Sequence, residues 1–350
     1  MYDYFMNIPK KIKELSLRQK INQMFITGFE GDDIQKRPEF NLMLENGLGG
    51  VIFFSQNITS TEQIKKTIEK INSNSLIPPF LSIDQEGGRV ERTENIHKCK
   101  KYLSARFAAE KGVDFLANQT EEMSKELVSY GINMNFAPVL DVNTNENNPI
   151  IGERAYSNNP NEVIEFASIV QSIYSKNGII PVGKHFPGHG DASLDSHLEL
   201  PVINLLKEEL EKNHILPFKD LIQKGIPAIM VAHVHYPALE PQKIPSSMSK
   251  NIINDYLINE LKFEGVIISD DMVMGAIKDY APIEACIMAI NAGINMFIFR
   301  NTTKTVINLV SDLEKAVVEN KIDLKKIDLS VEKILKLKEK FNIIATDLSN

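Results

Sequence analysis

Ile179-Ile180-Pro181-Val182-Gly183-Lys184-His185-Phe186-Pro187-Gly188-His189-Gly190 reads as a buried strand that breaks into a polar turn. The apolar run over residues 179–182 has the near-continuous hydrophobicity of a parallel strand covered on both faces. Asp191 follows, and then Asp195-Ser196-His197. Titratable groups at this density cost free energy to desolvate unless each finds a partner, so a structural core has no use for them. The stretch therefore predicts an enzyme, with part of its active site on the loop that leaves this strand.

Working outward, runs of the same kind occupy residues 23–28, 50–54, 80–84, 133–137, 228–232, 265–270 and 296–299. The segments between them carry helical periodicity. Asn159-Pro160 is an N-cap and first-turn pair. Val163, Phe166, Ala167, Val170, Ile173 and Tyr174 then form one apolar stripe, closed near Gly178. Val113, Leu116, Ala117, Met123 and Leu127 repeat it before Gly131. Leu206, Leu210, Phe218 and Leu221 do so before Gly225, with a kink expected at Pro217.

Eight strand–helix units predict an α/β fold, a (β/α)8 TIM-type barrel forming a single domain over residues 1–350, with 321–350 a terminal helix and tail. A doubly wound open sheet is the alternative. The turns into strands are short and contain glycine. The loops out of strands, over residues 84–104, 138–158 and 185–204, are long and polar. Long loops inside a compact domain carry function, and in either fold these leave the carboxyl ends of the strands, where such enzymes place their sites.

The bulk numbers exclude several classes. A hydrophobic fraction of 43% over 350 residues supports a large core, and a net charge of -7 argues against a nucleic-acid surface. The two cysteines, Cys99 and Cys286, lie far apart with no CxxC partner, which argues against a disulfide framework or metal cluster. The start shows no charged segment leading into an apolar export signal, and no run is long enough to span a bilayer. The expectation is a cytoplasmic monomer with no membrane or nucleic-acid partner. With no Trp in the chain, a sugar-stacking platform must be Tyr, Phe or an Arg plane.

Polar residues end many of the proposed strands: Asp84, Asp141, Lys184 with His185, His233, Asp270 with Asp271, and Arg300. Six segments carry them in order: Asp84-Gln85-Glu86-Gly87-Gly88-Arg89-Val90, Phe136-Ala137-Pro138-Val139-Leu140-Asp141-Val142, Ile151-Gly152-Glu153-Arg154-Ala155-Tyr156, the 184–197 stretch, Ala232-His233-Val234, and Ser269-Asp270-Asp271 with Met274. In these segments the chain resembles glycoside hydrolase family 3, and within it the single-domain β-N-acetylglucosaminidases of the NagZ type. The resemblance implies that Asp270 is the nucleophile, that His197 is the general acid/base, and that Asp195 orients and charges it. It implies sugar contacts from Asp84, Arg154, Lys184 and His185, with Arg89 bracing the site. It further implies a retaining hydrolase without metal or other cofactor, acting on a GlcNAc-containing muropeptide. After Arg92 the chain reads Thr-Glu-Asn-Ile-His-Lys-Cys, where relatives are more apolar and contain proline, so the outer rim departs from the pattern.

Each residue also has a structural reading. His189, between glycines, is expected to hold the loop by hydrogen bonds. Glu86, before a tight Gly-Gly turn, is expected to sit behind the sugar-binding residues. His233 is either a sugar contact or a packed core histidine, and Met272 and Met274 are expected to pack. Asp271 suits a helix N-cap. Ser104 and Ser196 lack a nucleophile-elbow context. Three other functions stay open at this level: a metal-dependent hydrolase using His185, His189, Asp191, Asp195 and His197, a glycoside phosphorylase, and a sugar-binding protein without catalysis.

Overall fold

The computed structural model describes residues 8–196 and 198–345. Eight parallel strands close into a barrel: β1 (Phe25–Thr27), β2 (Gly50–Phe53), β3 (Phe80–Ile83), β4 (Met134–Asn135), β5 (Ile180–Phe186), β6 (Ala228–Val231), β7 (Val266–Asp271) and β8 (Met296–Phe299). β8 pairs with β1, so Phe297 lies beside Phe25 and the sheet has no open edge. The doubly wound alternative is excluded by this closure. β1 to β4 and β6 are fully buried, which is why their sequences are mostly apolar.

Asparagine side chains replace missing backbone partners where strands fray. Asn135 Oδ1 accepts from Gln85 N at 2.9 Å, and its Nδ2 donates to Gln85 O at 2.8 Å. This amide reproduces a two-bond ladder rung just past β3 and carries the chain into the site. Asn133 and Asn295 do the same for Leu81 N and Ile267 N, at 2.8 and 2.9 Å.

The helices follow the periodicity. Pro160–Lys176 is capped by Asn159, which accepts from Asn161 N, and it buries Val163, Ala167, Val170 and Tyr174. Val113–Tyr130 ends at Gly131, whose φ of 95° is a left-handed stop that glycine adopts without strain. Val113 itself remains exposed. The kink expected at Pro217 takes a specific form. A π-helical turn, Leu210–Ile215, precedes the helix Leu216–Gln223. The widened turn takes the chain past a proline that has no N–H to donate and whose ring would clash with the carbonyl four residues back. Leu206 lies outside it and is exposed. The helix Leu324–Lys340 closes the chain, with Ile327, Val331, Ile334 and Leu335 fully buried. Among the described residues, no helix is long and apolar enough to cross a membrane.

Candidate active site

A cavity of about 380 Å³ opens at the carboxyl ends of the strands. Its walls include Asp84, Arg89, Arg92, Arg154, Lys184, His185, His189, Asp195, Ser196, Asp270, Asp271 and Arg300, with Phe54 and Met274 beside them.

One wall is a buried charge cluster built from the loop after β3, from β5 and from the loop after β4. Lys184 Nζ lies 2.7 Å from Asp84 Oδ1 and 2.5 Å from Glu86 Oε1. Arg154 grips both Glu86 oxygens, its Nε and Nη2 each donating at 2.8 Å. The Glu86 side chain is 3% exposed. Burial alone would raise its pKa, but Arg154 and Lys184 outweigh that and hold it well below the usual carboxylate range. Glu86 thus stands behind the surface and orients the two cations that face the cavity. Arg89 donates to the carbonyls of Pro149 and Ile150, bracing the loop after β4 from outside.

Asp141, fully buried, organises the second wall. Its Oδ2 lies 2.6 Å from His185 Nδ1, and its Oδ1 accepts from His189 N at 2.6 Å. His185 therefore turns Nε2 outward, 3.3 Å from Arg154 Nη2. His189 lines the cavity but is spoken for as well. Its Nε2 lies 3.0 Å from Ser196 Oγ, and burial pushes its pKa down to about 4, so the ring is neutral. The loop-holding reading of His189 describes these contacts. Among the described residues, no three His, Cys, Asp or Glu side chains form a group fit to hold a metal ion.

Asp270 and Asp271, adjacent in sequence, occupy different environments. Asp270 lines the cavity and stays partly open to it. Burial would raise its pKa, but His185, the Asp271 N–H and Lys184 overcome that, so it is held low and ionised. Asp271 is pushed up to about 6 by burial and by the charge of Asp270, against the pull of Arg300. Its Oδ2 accepts from Arg300 Nε at 3.0 Å, and its Oδ1 from Val273 N at 3.3 Å. The second contact closes a turn and is not the helix cap expected from sequence, because the next helical turn, Gly275–Ile277, starts after Met274. Of the pair, Asp270 is the carboxylate with charge to spare for a ligand.

The loop after β5 returns to the end of β7. Asp195 and Ser196 line the cavity, and Ser196 O accepts from Ala276 N, just past β7, at 3.1 Å. His197 lies outside the described residues.

His233 requires a correction. Expected among the sugar-binding residues, it sits behind the cavity wall, fully buried, between Ser247 Oγ at 2.6 Å and Asp271 O at 3.1 Å. Both ring nitrogens are used there, so neither is presented to the cavity. Met272 and Met274 are both buried as expected, and Met274 also reaches the cavity wall. Phe54 and Arg92 are also on the wall but were not singled out from sequence. The Arg92 and Arg300 guanidiniums lie 5.7 and 5.9 Å from the Phe54 ring centre. In a chain without Trp, the expectation of a Tyr, Phe or Arg platform was the available signal.

The sequence over residues 16–337 matches the glycosyl hydrolase family 3 N terminal domain. The chain belongs to glycosyl hydrolase family 3. A protein named Beta-hexosaminidase A, from Pseudoalteromonas piscicida, is 34% identical over 330 residues, covering 87% of this chain and 55% of its own length. A protein from Nitrosomonas eutropha named Beta-hexosaminidase is 33% identical over 273 residues, covering 76% of this chain and 78% of its own. A solved family 3 beta-N-acetylglucosaminidase from Paenibacillus sp. superposes with a TM-score of 0.89 at 32% identity, over 96% of this chain and 65% of that one. The chain thus spans little more than half of the Pseudoalteromonas protein and about two thirds of the Paenibacillus one.

Proposed function

We propose that this family 3 member is a retaining exo-β-N-acetylglucosaminidase that releases non-reducing-end N-acetylglucosamine from peptidoglycan fragments. The observation that carries the reading is the ionised Asp270 carboxylate, open to a cavity that Lys184 and Arg154 line with donors. The relatives named for hexosaminidase activity support the sugar.

Asp270 attacks the anomeric carbon as the bond to the aglycone oxygen breaks, and His197, charged through Asp195, protonates that oxygen. The product of this step is a glycosyl ester on Asp270. Neutral His197 then takes a proton from water, whose oxygen attacks the anomeric carbon and frees the Asp270 carboxylate. An imidazole can do the work of the usual second carboxylic acid because its unperturbed pKa, ~6.5, already lies near neutrality and an adjacent carboxylate favours its charged form. Asp84, Lys184, Arg154 and His185 bind the sugar hydroxyls.

Two measurements test this reading. The wild-type chain cleaves an aryl β-N-acetylglucosaminide faster than the matching β-glucoside, and a preference for the glucoside rejects the sugar assignment. His197→Ala loses about 10²–10⁴-fold on poor leaving groups and much less on activated aryl groups that depart without a proton. Equal losses on both remove the acid role.

A further inference from the structure

β7 departs from regular strand geometry at the nucleophile. Ile268 pairs with Met296 and Asp271 with Ile298, so β7 advances three residues while β8 advances two. The extra residue makes a bulge containing Ser269 and Asp270. A bulge bends its strand and re-aims the side chains on it, at the cost of ladder bonds.

Here three side chains take up what the bulge disturbs. Ser269 Oγ donates to Asp270 O at 2.8 Å and accepts from Ile298 N at 3.3 Å, so one hydroxyl stands in for a lost rung. The next carbonyl, Asp271 O, is met by His233 Nε2 at 3.1 Å. Burial lowers the pKa of His233, so the ring is neutral with one proton. The carbonyl can only accept, which places that proton on Nε2 and leaves Nδ1 to accept from Ser247 Oγ at 2.6 Å. Just past β8, Arg300 N donates to Asp271 Oδ1 at 3.3 Å and Arg300 Nε to Oδ2 at 3.0 Å. The Asp271 N–H in turn donates to Asp270 Oδ1 at 2.8 Å.

We propose that Ser269, His233 and Arg300 are positioning residues that lock this bulge and so aim the Asp270 carboxylate at the anomeric carbon. The proposal rests on the reading of Asp270 as nucleophile. It assigns work to residues with no direct part in bond making, and explains why a histidine at a strand end points away from the sugar.

The test uses Ser269→Ala and Arg300→Ala in the full chain. Misplacement of a reacting group by about 1 Å costs up to ~10²-fold in rate. Each variant is expected to lose about 10- to 100-fold in kcat/KM, on activated and poor aryl leaving groups alike, because both need the attack. For Ser269→Ala, whose side chain is buried behind the cavity, the dissociation constant for N-acetylglucosamine, measured by calorimetry, should stay within about 2-fold of wild type; Arg300 lines the cavity, so its variant is read on kcat rather than on affinity. Arg300 is half exposed, so its variant remains informative if Ser269→Ala fails to fold. Wild-type kcat in Arg300→Ala overturns the proposal, and so does a fall in kcat/KM of Ser269→Ala matched by an equal loss of sugar affinity. A fully active Asp270→Ala enzyme would instead overturn the nucleophile reading.

Discussion

Asp270→Ala turns over an aryl β-N-acetylglucosaminide on the order of 10⁴-fold more slowly than the parent chain, with little change in melting temperature. The structure explains why the neighbouring carboxylate does not rescue it. Asp271 is held by Arg300 and by the Val273 N–H, and its pKa of about 6 reflects burial beside another charge. Removing Asp270 lowers that pKa but does not release the carboxylate from Arg300. The fold should tolerate the change, because Asp270 is partly open to the cavity and its loss removes a like-charge neighbour. A variant within tenfold of wild type, on any leaving group, contradicts the assignment.

Glu86→Gln destabilises the chain by about 3–5 kcal/mol, the range seen when one partner of a buried ion pair is removed. Arg154 loses a charged bidentate partner, and Lys184 is left with Asp84. Arg154 and Lys184 are held by opposite charge in surroundings from which water is largely excluded, so the cost is chiefly that of two cations short of a counter-charge. The wall proposed to bind the sugar should also loosen, because both cations are aimed by Glu86. Urea unfolding at neutral pH reads the first effect and KM for an aryl glycoside the second. A stability loss below about 1 kcal/mol would show that the cluster is hydrated enough for the charge not to matter.

The barrel was legible because parallel strands buried on both faces leave unbroken apolar runs, and β8 falls on the expected residues 296–299. Residues spread from Asp84 to Asp270 meet in one cavity because every strand delivers its carboxyl end to the same rim. Orientation at a strand end was not legible. His233 and His185 look alike in sequence, each ending an apolar run. Asp141 turns the ring of His185 toward Arg154, while Ser247 and the carbonyl of Asp271 hold His233 behind the wall. Those partners lie 14 to 44 residues away along the chain, beyond the reach of periodicity. The β7 bulge was hidden for a related reason. Strand alternation assigns faces only while the register holds, and Ser-Asp-Asp gives no sign of where it slips. Glu86 was placed behind the sugar-binding residues by its Gly-Gly turn, but its grip on Arg154, 68 residues away, was not visible.

The most direct measurement incubates the protein with an activated N-acetylglucosaminyl donor whose ring fluorine slows hydrolysis of the glycosyl ester, then digests it for mass spectrometry. A single sugar adduct is expected on the peptide containing Asp270, at that side chain and absent from Asp270→Ala. Turnover of the donor with no adduct, or an adduct at Asp271 or Asp84, would contradict it.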